Sequence, residues 1–454
     1  MELPVAVILA GGASSRFAPL SDKNSLKFLG KTLVEHHLEN LQSIGMNDAI
    51  IIINPANHET MKQCISKYKN VRLAIQQEQK GMGDAILSAE SLMLNDFNSR
   101  PVYILNADDI FEQEHHKKIL DEYEKGEADS IIGAYKVNSY FPGGYLVVDG
   151  NNKVSGIREK PGEGKEPSSI INTVAHLHKN PAELINEIKK EYENVFIKTD
   201  DHYERAMNKL MKKNNFTAVP HDSWRTIKYP WHVLDVTDYF LKKIFGKTIS
   251  PTAKISPSAT IRDNVIIEDG AKVFEGAVVG PNSYIGKNAI VGNHSLVRES
   301  IINENTVVGY CTEVCRSFIN DNCWFHTNYI GDSAIDSNVS FGSGAITANF
   351  RLDEGEVHST VKGEKINTQR NKFGTIIGKN VRVAINVNIL PGIKVGADCF
   401  IGTHVNLDRD LEPRTYCYVK QRHEIKKNTR VLPSREKLFK DMEKYNNTTD
   451  KKEV

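Results

Sequence analysis

The chain has 454 residues, with 58 lysines and arginines against 57 aspartates and glutamates. This near balance excludes a protein that binds nucleic acid or an anionic membrane through its overall charge, so phosphate chemistry must rest on local basic residues. The apolar stretch 5–10 is too short to span a membrane and lacks a basic leader, so we expect a cytoplasmic protein without a membrane or nucleic-acid partner. Six cysteines spread over this length do not indicate a disulfide framework.

The first half of the chain alternates apolar runs with amphipathic segments, which is typical of an open α/β sheet with crossover helices. Helices are predicted at 33–42 and, as a closing element, at 230–245. Buried strands are predicted in the apolar runs 5–10, 49–54, 101–110 and 130–135. In such a sheet ligands bind at the carboxyl ends of the strands.

The second half carries an aliphatic residue at every sixth position, from Ile255 to Val297 and again from Ile377 to Leu407. This period fits neither a helix nor a half-buried strand. It predicts short strands that form the flat faces of a prism, so that stacked turns bury one apolar column. The repeats resemble those of hexapeptide acyltransferases, and this resemblance implies a left-handed parallel β-helix and a homotrimer.

Three regions follow from these patterns. We predict a Rossmann-like α/β domain over 1–247, a β-helix over 248–424 that begins with a short linker at 248–251, and a polar C-terminal helix followed by a disordered tail over 425–454. A polar excursion at 348–373 interrupts the repeats. It is too long for an ordinary turn, and we expect it to carry function or to contact a neighbouring subunit.

A glycine-rich turn follows the first predicted strand, with Gly11 and Gly12 ahead of Arg16 and Lys27. Small residues let backbone amides approach phosphate oxygens, and two cations balance the charge of a phosphoryl group in transfer. A tight strand-to-helix connection explains the glycines equally well when they are considered alone.

The string around this turn, LAGGASSRFAPLSDKNSLKF, resembles the signature of sugar-1-phosphate nucleotidyltransferases, and four further strings match in chain order. The resemblance implies that Arg16 and Lys27 are catalytic and that Gly11 and Gly12 contact the nucleotide. Asp108, in ILNADDIF, corresponds to the Mg²⁺-binding aspartate, although neighbouring Asp109 is an alternative. A turn or helix-cap aspartate is the structural alternative.

The remaining strings correspond to the substrate-binding residues of that family. AIQQEQKGMGDAI implies Gln76 and Gly81 at the nucleotide base, GGYLVV and GIREKP imply Gly144 and Glu159 at the sugar, and SSIINTV implies Asn172 at the sugar. Individually, each is more often a surface carboxylate or a loop amide than a ligand. Their order along the chain favours function.

Both halves together resemble the bifunctional N-acetylglucosamine-1-phosphate uridylyltransferase/glucosamine-1-phosphate acetyltransferases, particularly the archaeal-type members. The resemblance implies attack by a sugar-1-phosphate on a nucleoside triphosphate, which gives a UDP- or dTDP-sugar and pyrophosphate. It leaves open which sugar and which of the two triphosphates is used. Thr226 stands where the family has a second metal ligand, and Asp222 is a possible replacement.

In the repeats, FHTNYIGD and GSGAITANF resemble the acetyltransferase site. The resemblance implies that His326 is the general base, that Tyr329 and Asn349 bind substrate, and that acetyl-CoA is the co-substrate. The structural alternative is that His326 only caps a turn of the coil.

At the positions where the acetyltransferases of that family bind the sugar phosphate, this sequence has different residues. Gly292 and Cys315 replace two cations, with Arg316 as a possible stand-in, Ser340 replaces an asparagine, and Glu354 replaces a loop lysine. A phosphate-bearing acceptor is therefore disfavoured. Cys311, Cys315, Cys323 and His326 also allow a zinc site, although their spacing matches no standard finger.

Two hypotheses follow. In the first, the chain is a two-site enzyme that makes nucleotide sugars and transfers an acyl group to an altered acceptor. In the second, only the nucleotidyltransferase works, and the β-helix is a trimerisation or regulatory scaffold.

Overall fold

The computed structural model of the chain describes residues 2–12, 14–193 and 199–449. They form two compact units, which divide after Tyr418.

The first half is built on a sheet of nine strands with helices on its faces, as predicted for an α/β fold. Four neighbouring strands are parallel to one another: Val102–Asn106, Val5–Leu9, Ala49–Ile53 and Val71–Ile75. The other five strands are Val154–Glu159, Gly144–Val148, Ile170–His178, Ser130–Lys136 and Phe216–His221. A two-stranded ribbon pairs Asp109–Phe111 with Trp224–Thr226.

The helices of this half carry buried apolar faces against the sheet. Leu33–Gln42 matches the predicted range and begins with a capping box, in which Thr32 and Glu35 bond each other's backbone amides. The predicted closing helix extends from His232 to Leu241. The other α-helices are His58–Ile65, Met82–Ser88, Gln113–Lys125, Pro181–Tyr192 and His202–Leu210.

The second half is the predicted prism, a parallel β-helix with three faces of short strands. The first face comprises Lys247–Ile249, Val265–Ile267, Ser283–Ile285, Ile301–Ile302, Phe318–Ile319, Ala334–Ile335, Ile376–Ile377 and Lys394–Val395. The second face comprises Lys254–Ile255, Lys272–Val273, Ile290–Val291, Val307–Val308, Trp324–Phe325, Ser340–Phe341, Arg382–Val383, Phe400–Ile401 and Tyr416–Cys417. The third face comprises Thr260–Ile261, Val278–Val279, Leu296–Arg298, Glu313–Cys315, Tyr329–Gly331, Ile346–Thr347, Asn388–Ile389 and Asn406–Leu407.

The predicted linker at 248–251 is wrong, because Lys247–Ile249 already pairs with Val265–Ile267 as the first strand of the coil. The lead residues of the repeats point inward and form one continuous apolar core. Many corners between the faces contain an asparagine with positive φ, for example Asn282 at 52° and Asn338 at 58°. Asparagine tolerates this left-handed backbone better than most side chains, which explains its place between the aliphatic positions.

The coil continues where the six-residue period is lost in the sequence. Ile285 pairs with Ile302 and Ile319 pairs with Ile335, so single residues are missing from corners while the strands keep their pairing. Where the six-residue period is lost, the corners between strands are therefore shorter, but the β-helix continues.

The excursion at 348–373 folds back onto the first half of the same chain. It forms an antiparallel hairpin of His358–Val361 and Glu364–Asn367. Phe373, at its end, packs against Trp231 with ring centroids 6.3 Å apart, and both belong to one core with the closing helix. The hairpin therefore ties the β-helix to the α/β half.

The described part of the second unit contains the helix Arg435–Thr449. The end of the predicted disordered tail, residues 450–454, lies outside the described residues. Within the ranges that the structure describes, no helix has both the length and the apolar composition that a membrane span requires.

Candidate functional site

Asp108 and Lys23 form the centre of the site at the carboxyl ends of the parallel strands. The Lys23 ammonium forms an ion pair with the Asp108 carboxylate and donates a 3.4 Å hydrogen bond to the carbonyl of Ile227. The Ile227 amide in turn donates to the backbone carbonyl of Asp108 over 3.2 Å. A lysine, a carboxylate and the segment after Thr226 thus meet at one point.

Lys27, which the sequence predicts to be catalytic, lies away from this centre. Its ammonium lies 3.1 Å from the Asp321 carboxylate and 3.9 Å from that of Glu304, both on the β-helix. The cause is a single 3₁₀ turn, Lys23–Ser25, which Asp22 caps by accepting a hydrogen bond from the Asn24 amide. This turn separates the two lysines, and the sequence shows only that both belong to one string.

Asp109 is directed into the protein, unlike Asp108, which pairs with Lys23. Its carboxylate accepts hydrogen bonds from Asn106 and from the Trp224 indole at 3.1 and 3.0 Å. Burial, followed by the charge of Asp108, raises its pKa, and a hydrogen bond from Thr226 opposes that shift. Thr226 therefore supports Asp109 and adds no carboxylate to the site.

The residues around Asp108 fit a magnesium ion only if the substrate supplies further ligands. Mg²⁺ is commonly held by one or two carboxylates together with substrate phosphates and water. Asp108 supplies one such carboxylate. In the described parts of the chain, no group of three or more His, Cys, Asp or Glu side chains is arranged to hold a metal, so a magnesium ion here would depend on substrate phosphates.

Lys228 belongs to this cluster and was missed by sequence reasoning. Its ammonium lies 3.5 Å from the centroid of the Phe141 ring. Burial lowers its pKa to about 8, and Asp109, Arg16 and Asp108 are the strongest charges acting on it. The only signal in the sequence was a lysine two positions after the Trp224–Thr226 strand.

Arg16 is exposed, and no described residue accepts a hydrogen bond from its guanidinium or from the Lys228 ammonium. Both cations are therefore available to an anionic ligand.

Gln76, Gly11 and Gly81 lie together on one side of the cluster. The Gln76 amide donates to the carbonyl of Gly81 over 3.1 Å and to the Asp84 carboxylate over 2.8 Å. A Cβ on Gly11 would lie 2.9 Å from the Gln76 carbonyl oxygen, whereas the space beside Gly12 is open. Gly81 has a φ of 102° and would place a Cβ 2.6 Å from a backbone oxygen, so only glycine fits there.

Gly144, Glu159 and Asn172 form a second group. A Cβ on Gly144 would lie 3.0 Å from the Glu159 carboxylate and 3.6 Å from the Asn172 Cβ. Glu159 is also among the charges that act on Lys228, which links this group to the central cluster.

A buried hydrogen-bond chain sets the orientation of Asn172. The chain runs from Ser130 through His178, Tyr203 and His176 to Asn172, with distances of 2.9, 3.0, 2.8 and 2.6 Å. Burial lowers the pKa of both histidines to about 3, so each is neutral and has one donor and one acceptor nitrogen.

The Asn172 atom that contacts His176 is the carbonyl oxygen, which can only accept, so one direction of donation satisfies every member of this hydrogen-bond chain. The Ser130 hydroxyl donates to His178, His178 to Tyr203, Tyr203 to His176, and His176 to the Asn172 carbonyl oxygen. The Asn172 amide N–H groups are therefore left for a ligand that offers an acceptor oxygen.

The predicted acyl-transfer residues lie on the third face and the corner before it. Asn349 donates to the Tyr329 hydroxyl over 3.1 Å and also to Asp332. His326 is exposed at the corner, where its amide donates to the Asn328 side chain over 2.7 Å. No described residue bonds the His326 imidazole, so the structure brings Tyr329 and Asn349 together and leaves His326 separate.

The arginines of this face are already paired. Arg316 makes a bidentate ion pair with Asp332 at 2.7 and 2.8 Å, and Arg298 bonds Glu313 at 2.9 Å. Arg316 is thus not a free substitute for a phosphate-binding cation.

The zinc alternative also fails. Cys311 is exposed, Cys323 is buried and donates to the Asp336 carbonyl, and Cys315 lies beside the Tyr329 hydroxyl. The candidate ligands therefore do not converge.

Comparison with known proteins places this site within a family. The profile of the family described as nucleotidyl transferase matches residues 5–227. A protein from Methanococcus vannielii named bifunctional protein GlmU is 32% identical over 432 residues, which cover 93% of this chain and 99% of the relative. A bifunctional sugar-1-phosphate nucleotidylyltransferase/acetyltransferase from Sulfurisphaera tokodaii is 33% identical over 416 residues, which cover 89% and 98%. The match extends through both halves, and the chain belongs to the family of bifunctional GlmU proteins.

Proposed function

We propose that the α/β half transfers a nucleotidyl group to a sugar-1-phosphate, giving a UDP- or dTDP-sugar and pyrophosphate. The observation that carries this proposal is the cationic centre of Lys23, Lys228 and Arg16 around Asp108. It lies between one group suited to a base, at Gln76 and Gly81, and another suited to a sugar, at Glu159 and Asn172.

In this reaction an oxygen of the sugar phosphate attacks the α-phosphorus in line, and the bond to the departing pyrophosphate breaks. Arg16, Lys23 and Lys228 would balance the charge on the phosphates and on the leaving group. The amide of Asn172 would donate to a sugar oxygen and so orient the attacking substrate. Asp108 would hold Mg²⁺, which supplies further charge neutralisation when bound.

The test is a matrix of nucleoside triphosphates against sugar-1-phosphates with magnesium, with pyrophosphate release as the readout. We expect turnover with UTP or dTTP and its loss in Asp108→Ala. Wild-type rates in Asp108→Ala would contradict the metal assignment, and no release with any pair would contradict the proposed reaction.

For the β-helix we propose acetyl-CoA-dependent transfer to an acceptor amine that carries no phosphate. The pairing of Arg298 and Arg316 with carboxylates supports this choice, because phosphate recognition depends on available cations. His326 would act as the base, and Tyr329 and Asn349 would contact the substrates. Consumption of the thioester with a panel of amino sugars, lost in His326→Ala, tests it.

No turnover with any acceptor would instead favour the β-helix as a trimerisation or regulatory scaffold. The homotrimer is part of our proposal, and sedimentation of the full chain measures it. A reducing, cytoplasmic location agrees with six cysteines that are all free thiols.

A further inference from the structure

A buried carboxylate of the β-helix holds the loop that carries Arg16 and Lys23. Asp336 is only 1% exposed, and one of its oxygens accepts a 2.8 Å hydrogen bond from the backbone amide of Ser21. Its other oxygen accepts from the Asn320 side chain at 3.1 Å and from the Ser337 amide at 2.7 Å. A buried carboxylate is costly unless donors surround it, so the Ser21 amide is one of the groups that stabilise it.

A second anchor lies a few residues further along the same loop. Besides the ion pair of Lys27 with Asp321, the Asn303 amide donates to the Lys27 carbonyl over 3.1 Å. Phe28 packs on Phe318 with ring centroids 5.2 Å apart. The β-helix therefore contacts the loop on both sides of Lys23, at Ser21 and at Lys27.

The α/β half also holds this segment, in addition to the contacts of Lys23 with Asp108 and Ile227. Asn57 donates to the Asp22 carboxylate over 2.8 Å, and Asn24 donates to the Ala10 carbonyl over 3.0 Å. These bonds fix the turn around Lys23, whereas Ser21 is held from the β-helix.

We propose that Asp336 is a positioning residue for nucleotidyl transfer, so that the β-helix forms part of the support of the first site. This inference rests on the proposed nucleotidyltransferase function. Asp336 acts through the Ser21 backbone, two residues before Lys23, and touches neither substrate nor reacting atoms. Small displacements of a group that stabilises charge in the transition state slow the reaction strongly, because alignment is a large part of its contribution.

The test uses the full chain with Asp336→Ala, Asp336→Asn and the control Asp398→Ala. Asp398 is an exposed corner residue of the same β-helix, bonded to Asn380 within the coil. In Asp336→Ala we expect kcat for pyrophosphate release to fall about tenfold, with less than about a threefold change in the KM of the triphosphate. Asp336→Asn keeps one acceptor oxygen, for which Ser21 competes with Asn320 and Ser337, and should recover part of the rate, while Asp398→Ala should match the wild type.

Hydrogen exchange supplies a second readout. Amides of residues 14–29 should exchange faster in Asp336→Ala, and those of the strand Val5–Leu9 should not change. If Asp336→Ala does not fold, Asp336→Ser replaces it with the same expectations.

Wild-type kcat in the folded Ala or Ser variant would overturn the inference, as would an equal loss in Asp398→Ala. A wild-type chain that releases no pyrophosphate would instead overturn the proposed function, so the two failures can be told apart.

Discussion

Lys23 and Lys27 lie four positions apart in one loop, and their replacement should have very different effects. Lys23→Met removes the ammonium paired with Asp108, and we expect kcat to fall by about 10²–10³. Lys27→Met breaks an ion pair with Asp321 in which the lysine side chain is 35% exposed, so a loss below about tenfold is expected. Initial rates of pyrophosphate release measure both. Equal losses would return Lys27 to the catalytic site.

Lys228 should contribute to nucleotidyl transfer through its positive charge. Lys228→Met removes an ammonium with no acceptor among the described residues, and we expect kcat/KM for nucleotidyl transfer to fall about 10–100-fold. Lys228→Arg keeps the charge and should retain more activity. Lys242→Met serves as the control, because Lys242 pairs with Asp238 on the surface of the closing helix. A fully active Lys228→Met would exclude Lys228 from phosphate binding.

Tyr203 is the central member of the buried hydrogen-bond chain that orients Asn172. Tyr203→Phe leaves His176 without its donor and His178 without its acceptor, at a cost of about 1–3 kcal/mol of stability. We expect the KM of the sugar-1-phosphate to rise about 3–10-fold, while the KM of the triphosphate stays unchanged.

The matched control is Tyr123→Phe, because the Tyr123 hydroxyl donates to the carbonyl of Glu2 outside that chain. If the two variants have the same KM for the sugar phosphate, the orientation of Asn172 does not depend on the buried chain.

At the scale of elements, the β-helix depends on side chains that fill its interior. Phe341 is fully buried and packs on Phe325 with ring centroids 5.5 Å apart. Phe341→Ala leaves a cavity and should cost about 3–5 kcal/mol in the free energy of unfolding. Ser340→Ala, one position earlier and pointing outward, should change it by less than about 0.5 kcal/mol. Denaturant unfolding followed by circular dichroism measures both, and similar values would contradict the proposed packing.

The first face of the β-helix and the hairpin at 348–373 share one apolar core with the closing helix. Because these elements pack on each other, the α/β half and the β-helix form one compact unit as far as Tyr418. The excursion at 348–373 thus packs on the α/β half of its own chain.

At the scale of the whole molecule, buried neutral histidines make stability depend on pH. Burial lowers their pKa values well below the ordinary 6.5. These histidines are His37 and His221 at about 4, and His116, His176 and His178 at about 3.

The direction in which folding stability changes with pH follows from where the protons bind. Between pH 6.5 and about 4 the unfolded chain binds protons on these side chains and the folded chain does not, so stability is present above pH 6.5 and is lost as pH falls. At pH 5 each histidine accounts for on the order of 1–2 kcal/mol. Glu204, Asp109 and Asp22 act in the opposite direction, since burial raises the pKa of each carboxyl group, but the five histidines outnumber these three groups.

We therefore expect a lower melting temperature at pH 5 than at pH 7. Calorimetry at the two values measures the difference, and His37→Leu should reduce it. A melting temperature that does not change between pH 7 and pH 5 would show that the histidines are not buried in their neutral form.

The sequence by itself determined both architectures. Short apolar runs such as 49–54 indicated buried strands, and the six-residue period excluded helices, because both signals arise from local periodicity and composition. It also indicated Asp108 and Arg16, because each lies in a string that resembles the family signature, at or after the end of a predicted buried strand.

Tertiary structure alone decided which neighbouring side chain faces the site. One 3₁₀ turn brings Lys23 to Asp108 and leaves Lys27 beside the β-helix, and bonds from distant Trp224 and nearby Asn106 turn Asp109 inward. The same holds for Lys228, for the chain behind Asn172 and for the support of Ser21 by Asp336, because each depends on contacts between segments far apart in sequence. Local sequence patterns do not encode such contacts. The contacts form only when the packing of helices and strands brings those distant segments together.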